Sequence, residues 1–462
     1  MNRRDFLKLS TAATIASTAK AGALLAAEAP TGAKPATTNA APAKPREIWI
    51  PTDPPNTPEG TAKGIFPGRV VWMRDPAATP WKGDINNGHW WDTGTGVNQQ
   101  AVDRMMSRSL QALTGATSDP QAWEKLFTHF NSTHQRGNTG YKPGEMVALK
   151  INCNNAYAGY GDNDNQIDAS PQAVLSMLRQ LVKQAGVPQK NIVVCEAIRV
   201  VHDHIHEPCH AEFPEVLWMD SKGDGTNGRQ PVNWHKQAFS TSVKENNQVG
   251  TSIPELMYQS TYIVNMALLK GHPTCGVTMT AKNHYGSIDG RDHQFYINTW
   301  KHKMGIYNPF VDLIGANHLG GKTVLFMIDA LFGTRDANDP VIEQFAGWKN
   351  LFGGQWSSSF FMSQDPVAID SVGYDFLRSE FGTFLASSHG GGHEVNADNY
   401  LHEAARADNP PSGTVYQPDG VRLASLGVHE HWNNAKDKQY SRNLNRGGKG
   451  IELFVVHERN QA

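Results

Sequence analysis

Residues 261–269 read TYIVNMALL, an apolar run typical of a strand that is buried on both faces of a parallel sheet. Three further runs are of the same kind: EMVALKI at 145–151, NIVVCEA at 191–197 and KTVLFMIDAL at 322–331. These runs alternate with segments that have the apolar spacing of amphipathic helices. The sequence therefore predicts an α/β fold, with a largely parallel sheet and helices on both faces.

The predicted helices have recognisable beginnings. Residues 97–113 carry apolar side chains at helical spacing. Ser170 precedes a proline and caps a second helix, which ends near Gly186. Asp365, also followed by a proline, precedes a third helix.

An export signal is predicted for residues 1–29. Residues 2–8 read NRRDFLK, and the paired arginines followed by Phe-Leu-Lys resemble a twin-arginine signal. The Ala-, Ser- and Thr-rich tract that follows is too weakly apolar for a stable membrane span, which needs about 20 predominantly apolar residues. We therefore expect the Tat translocon to export the chain to the periplasm, where it is soluble.

The rest of the chain divides into three parts by composition. Residues 30–67 are rich in Pro, Ala and Thr, and this predicts a linker or a wrapping arm. Residues 68–385 hold the strand–helix alternation and predict the core domain. Residues 386–462 are rich in Asn, Gly and His with little periodicity, and they predict an irregular appendage that packs on the core and contains a strand at 451–456.

The composition indicates a globular protein that does not bind nucleic acid. The 462 residues carry a net charge of -2, so there is no surplus of Lys and Arg to neutralise phosphates. The 4 cysteines match no close-spaced zinc or iron–sulfur pattern, and the sequence does not choose among their disulfide pairings. The chain lacks a Gly-x-Ser-x-Gly motif, which argues against a serine hydrolase.

Ionisable side chains follow every predicted strand. Ligands of open α/β sheets bind beyond the carboxyl ends of the strands, so we expect these side chains to share one edge. Lysines and histidines there suit an anionic substrate and proton transfer, whereas ordinary strand-end polarity is the alternative. The candidate catalytic residues are Lys270, His272, Lys282 and His284, and the candidate substrate-binding residues are Lys150, Asn152, Asn283 and Asp329.

Residues 201–210 read VHDHIHEPCH and predict a metal site. In an extended segment His202, His204 and His206 share one face, and one ion can take two neighbours, such as His202 and His204. Glu196 or His272 is the candidate third ligand. Pro208 argues against a helix that continues through this segment. These ligands predict a divalent ion (Ni, Zn, Fe or Mn), and the alternative is a solvated loop.

A second pair of histidines, His429 and His431, lies in the predicted appendage. The segment around them is short and irregular. It therefore predicts packing against the core and not metal ligation.

Several short motifs together resemble a bacterial family catalogued as domain of unknown function 362, across about residues 68–380. The segment from 400 to 453 is similar to the exported branch of that family. The resemblance implies no particular activity. The motifs that carry it are Lys150-Ile151-Asn152, Leu269-Lys270-Gly271-His272, Gly276-Val277-Thr278, Lys282-Asn283-His284-Tyr285-Gly286, Asp329-Ala330-Leu331, and residues 363–370, which read SQDPVAID.

These observations predict a periplasmic enzyme that acts on a small polar or sugar-derived anionic substrate. Proton abstraction next to a carboxylate or carbonyl is one expected reaction, and metal-assisted hydrolysis is the other. The alternative is a non-catalytic envelope protein that binds or delivers a metal or cofactor. The expected partners are thus a small-molecule or carbohydrate-derived substrate and, during export, the Tat translocon.

Overall fold

A computed structural model describes residues 53–157, 159–161, 165–225, 228–243, 251–272, 275–289, 305–382, 398–445 and 448–456. The predicted export signal at 1–29 lies outside the described residues. So do residues 30–52 of the predicted linker and residues 386–397 of the predicted appendage.

One sheet of ten strands dominates the described part of the chain, and two short strand pairs lie beside it. The strands are β1 (Glu59–Gly60), β2 (Arg69–Arg74), β3 (Val147–Lys150), β4 (Ile192–Glu196), β5 (Leu217–Asp220), β6 (Arg229–Pro231), β7 (Trp234–Phe239), β8 (Thr251–Pro254), β9 (Tyr262–His272), β10 (Gly276–Thr278), β11 (Thr323–Thr334), β12 (Ser359–Ser363), β13 (Val428–His429) and β14 (Glu452–Val456).

The order of strands in the large sheet is β14-β2-β12-β11-β9-β3-β4-β5-β6, with β10 paired to the end of β9. Only β12 and β10 run antiparallel to their neighbours in this sheet. The prediction of an α/β fold with a largely parallel sheet is therefore confirmed. All four strands predicted from apolar runs are present, as β3, β4, β9 and β11.

Helices cover both faces of this sheet, as predicted. The alternation of β3 shows why: Val147 and Leu149 belong to one apolar core, whereas Ala148 belongs to a second core on the opposite face. The helices are α1 (Gln99–Thr114), α2 (Asp119–Thr133), α3 (Pro171–Arg179), α4 (Asp203–Glu212), α5 (Glu255–Gln259), α6 (Thr280–Asn283), α7 (Pro309–Gly315), α8 (Glu343–Ala346), α9 (Lys349–Phe352), α10 (Pro366–Phe381) and α11 (Asp398–Ala405).

The prediction that Pro208 prevents a helix is wrong. Helix α4 runs from Asp203 to Glu212 with Pro208 inside it. Its side chains Ile205 and Cys209 are fully buried. Tertiary packing of this face therefore outweighs the one backbone hydrogen bond that proline cannot donate.

Residues 53–67, which the sequence assigned to the linker, lie against the C-terminal part of the chain. Strand β1 pairs antiparallel with β13. The backbone N–H of Lys63 donates to Asp365 Oδ2 (2.9 Å), at the beginning of α10. These contacts give this segment the character of a wrapping arm.

The four cysteines are buried free thiols. Burial raises the pKa of each thiol, so none of them has the thiolate character of a reactive cysteine. Among the described residues, none of the helices combines the length and the apolar character that crossing a bilayer requires.

Candidate functional site

A buried ion pair joins the carboxyl ends of two adjacent strands. Lys150 is the last residue of β3 and Glu196 the last of β4, and the parallel register brings these ends side by side. Lys150 Nζ donates to Glu196 Oε2 at 2.9 Å, and both side chains are almost completely buried. The predicted edge therefore does bring charged groups together.

An asparagine network continues from this pair into helix α6. Asn283 Oδ1 accepts hydrogen bonds from Lys150 Nζ (3.1 Å) and from Asn152 Nδ2 (3.2 Å). Asn283 Nδ2 donates to Asn265 Oδ1 (2.8 Å) in β9. Three of the predicted substrate-binding residues, Lys150, Asn152 and Asn283, thus contact one another.

His284 is part of the same network but is closed off from solvent. Asn265 Nδ2 donates to His284 Nε2 (3.2 Å), so the ring proton lies on Nδ1, 3.2 Å from Ser287 Oγ. Burial, together with the Lys150 cation, lowers the pKa of His284 to about 3. The ring is therefore neutral, and its contacts suit a positioning role.

Lys282 lines a recess at this edge of the sheet. The recess is also lined by Asn152, Asn154, Glu196, Ile198, Arg199, Tyr285 and Gly286. Lys282 is 7% exposed, and its Nζ lies 5.5 Å from the centre of the Tyr285 ring. Within the described part of the chain, this amine has no hydrogen-bond acceptor or carboxylate partner, unlike Lys150.

The pKa of Lys282 is lowered by its surroundings. Burial is the largest cause, the nearby cations of Arg199 and Lys150 add to it, and Cys275 and Glu196 oppose it. A greater fraction of this amine is therefore neutral at a given pH than in an exposed lysine.

Lys270 lies nearby, in β9, and is fully buried. Its Nζ donates to the carbonyl oxygen of Ile167 at 3.1 Å. Burial lowers the pKa of Lys270 to about 8, and the charge of Lys282 adds to that effect while Asp168 opposes it. Lys270 and Lys282 therefore interact electrostatically, although only Lys282 lines the recess.

Two predicted residues lie apart from the recess. Asp329 accepts hydrogen bonds from Ser170 N (3.1 Å) and Ser170 Oγ (2.7 Å), so it fixes the beginning of helix α3. His272 ends β9 and is paired in register with Gly276 of β10. Neither of them is among the residues that line the recess.

The structure does not bring the three predicted metal ligands together. Glu196 is held by Lys150, His202 precedes α4, and the His204 ring stacks on Trp91 with the centroids 4.1 Å apart. The His202 and His204 rings lie 5.3 Å apart. Among the described residues, the groups of three or more side chains with ligand atoms within 4.8 Å of one another include none of these three.

Two such groups lie at the appendage instead, and the arm contributes Asp53 to one of them. They are Asp53 with His402 and His429, and Asp398 with His429 and His431. The sequence does not predict these groups, because their residues come from three distant segments. The spacing of His429 and His431 could have indicated the site, because residues two apart in an extended segment have their side chains on the same side.

Comparison with curated proteins gives no match to this chain. Comparison with family models matches residues 147–375 to the family described as Domain of unknown function (DUF362). The matched segment contains the Lys150–Glu196 pair, the asparagine network and Lys282. This part of the chain is therefore similar to the DUF362 family.

Proposed function

We propose that the protein is an enzyme that removes a proton from a small anionic substrate, with Lys282 as the base. The observation that carries this proposal is the Lys282 amine, which is buried, opens into a recess and lacks an acceptor within the described part of the chain. Burying an amine without a partner lowers stability, and such groups are typical of functional sites.

The charges around the recess favour an anion. Glu196 offsets Lys150. Among the described residues, Arg199 and Lys282 are then the cations that line the recess without a carboxylate partner. The Arg199 guanidinium is fixed by donating to the carbonyl oxygens of Asn154 and Ile198, at 3.0 Å each. A carboxylate is the anion for which a planar guanidinium is best suited.

In the proposed step, the proton moves from the carbon next to the substrate carboxylate or carbonyl to the neutral Lys282 Nζ. The electron pair of the broken C–H bond passes into the carbonyl and forms an enolate. The cation of Arg199 stabilises this charge. Lys282 then returns a proton to the same carbon and, because its ammonium protons exchange with solvent, the net result is hydrogen exchange at that carbon. Metal-assisted hydrolysis has less support at this recess because Glu196 is held by Lys150.

We further propose that the protein belongs to an exported branch of its family and acts in the periplasm. The support for this is the NRRDFLK sequence at residues 2–8 and the Ala-rich tract that follows it. A second candidate function, a non-catalytic protein that binds a metal, is favoured by the grouping of Asp53, His402 and His429.

Hydrogen–deuterium exchange at carbon tests the enzymatic proposal. The protein is incubated in D2O with a panel of small 2-hydroxy acids and sugar acids, and loss of the proton next to the carboxylate is followed by NMR. We expect exchange with at least one acid. We expect Lys282→Met to slow it by about 100-fold or more, the usual contribution of a general base. The rate should rise with pH, because only the neutral amine accepts a proton.

Lys322→Met is the matched control. Burial also lowers the pKa of Lys322, to about 8, but its Nζ donates to the carbonyl of Tyr258, outside the recess. Exchange in this variant should equal that of the wild type. The proposal is wrong if no acid of the panel exchanges with the wild type, or if Lys282→Met exchanges at the wild-type rate while it keeps its fold.

A further inference from the structure

Three histidines of the appendage present one ring nitrogen each to two overlapping groups of ligand atoms, which have His429 in common. In each ring, Nδ1 contacts an acceptor on the outer side: Glu59 Oε2 for His402 (3.1 Å), Ser371 Oγ for His429 (2.8 Å) and Asp375 Oδ1 for His431 (2.7 Å). Holding Nδ1 in this way directs Nε2 to the other side, the arrangement found around metal-bound histidines.

The protonation state of His429 follows from its partner. The single hydroxyl proton of Ser371 is donated to the carbonyl oxygen of Val367 (2.7 Å), so Ser371 Oγ must accept from His429 Nδ1. His429 Nε2 therefore carries a lone pair and no proton. It is buried, and within the described part of the chain it makes no hydrogen bond.

Carboxylates complete the two groups. Asp53 Oδ2 lies 2.8 Å from His402 Nε2 and 4.0 Å from His429 Nε2, and Asp398 Oδ1 lies 3.6 Å from His431 Nε2. Ion pairs would account for the short distances between these carboxylates and the Nε2 atoms of His402 and His431. They do not account for His429, whose lone pair faces a carboxylate oxygen, because two acceptors at this distance repel unless a hydrogen-bond donor or a cation lies between them.

We propose that these two overlapping groups, Asp53 with His402 and His429, and Asp398 with His429 and His431, form a binding site for a divalent first-row transition-metal ion, with His429 as the common ligand. Three imidazole nitrogens and two carboxylate oxygens are the donors that Zn²⁺, Fe²⁺ and Mn²⁺ share. The set contains no thiolate, which Cu(I) prefers, and too few oxygens for Ca²⁺.

The ion would enter through a cleft of about 380 Å³ that Asp53, Asp375, Arg378 and His431 help to line. It would also join separate parts of the chain. Asp53 comes from the arm, Asp398 and His402 from α11, and His429 and His431 from the segment of β13, all packed against α10. These five ligands lie outside the segment that matches the DUF362 family, so the site does not depend on the proposed role of Lys282.

Zinc binding to the full chain tests this inference. The purified protein is stripped with a chelator and titrated with Zn²⁺ by calorimetry, and thermal unfolding is recorded with and without the ion. We expect the wild type to bind one equivalent and to unfold at a higher temperature with zinc, because an ion that binds only the folded state stabilises it. His429→Gln and Asp53→Asn should each weaken binding by at least tenfold. Asp53→Asn lies in the arm and serves where His429→Gln does not fold.

The variant His202→Ala/His204→Ala is the comparison, since it removes the histidines that the sequence favoured. It should bind zinc as the wild type does. If this variant loses the ion while His429→Gln keeps it, the metal belongs to the other histidine segment and the inference is overturned. If the wild type binds no equivalent of zinc, the five residues form an ion-pair network only, and the inference is equally wrong.

Discussion

The Lys150–Glu196 pair depends on a neighbour that has no side chain. A Cβ atom added to Gly286 would stand 2.5 Å from Glu196 Oε1 and 2.7 Å from Lys150 Nζ, closer than atoms can approach. The same glycine accepts a hydrogen bond from Ala197 N at 3.0 Å, so its backbone is held in place. Gly286 is therefore required for close packing and not for an unusual backbone conformation.

We expect Gly286→Ala to force the buried pair apart. Breaking such a pair leaves charges without compensation, and the free energy of unfolding should fall by about 3 kcal/mol, measured by urea denaturation. Gly159→Ala is the control, because a Cβ atom there meets nothing within 4 Å. Equal stability of the two variants would mean that the pair can shift at no cost.

At the residue scale, the sequence predicted the recess better than the histidine centre. Lys150 and Glu196 each end a buried apolar run, and parallel strands align such ends, so their neighbourhood followed from the pattern alone. Lys282 comes from α6, whose docking depends on tertiary contacts. The proposed metal centre unites residues 53, 398 and 429, which share no periodicity in the sequence. The segment 201–210 has more histidines and therefore predicted a metal site at a different place.

At the scale of elements, Asp365 does more than cap helix α10. Its Oδ1 accepts from Val367 N (3.1 Å) and Ala368 N (2.9 Å), which are the helix N–H groups expected for a cap. Its Oδ2 accepts from Lys63 N (2.9 Å) in the arm and Val428 N (3.2 Å) at the beginning of β13. One carboxylate thus connects a helix to both outer segments of the fold.

Replacing Asp365 by Ala should therefore lower the free energy of unfolding by more than the loss of an ordinary helix cap does. Four backbone N–H groups would lose their acceptor, and we expect a loss of about 3 kcal/mol or more in the free energy of unfolding. Asn98→Ala provides the comparison: Asn98 caps α1 by accepting from two N–H groups only, and its loss should cost about 1 kcal/mol. Equal losses would show that the arm and β13 gain nothing from Asp365.

The strands and helices that the sequence predicted are those in which buried residues follow the period of a strand or a helix. Runs that became β3, β4, β9 and β11 are apolar throughout because helices cover both faces. Helix α11 was not predicted, since all of its residues, including Glu403 and His402, are buried and its burial does not follow the division between polar and apolar residues. Helix α4 was missed because the rule for proline ignores the packing of Ile205 and Cys209.

At the scale of the whole molecule, the edge of the sheet is built from distant parts of the chain. Strand β14 pairs in parallel with β2, and Arg69 Nε contacts Glu452 Oε2 at 2.9 Å. Ile451 and Leu453 are buried there. The C-terminal segment is therefore an integral part of the core sheet.

Truncation before residue 448 should remove this edge strand. The buried area of Ile451 and Leu453 would be lost, and we expect the midpoint of thermal unfolding to fall by roughly 5–10 °C. Truncation after Val456 keeps all the described contacts of β14 and is the control. A thermal midpoint that is the same in both truncations would mean that β14 adds no stability.

Because β14 pairs with β2, the large sheet can be completed only after the C-terminal segment has been translated. The ribosome makes Glu452 383 residues after Arg69, which at normal rates of translation is a delay of roughly 20–80 s. During that delay β2 has an open edge that can pair with other chains. Only a chain translated as far as β14 covers the edge of β2, so an interrupted message leaves a product in which β2 is exposed.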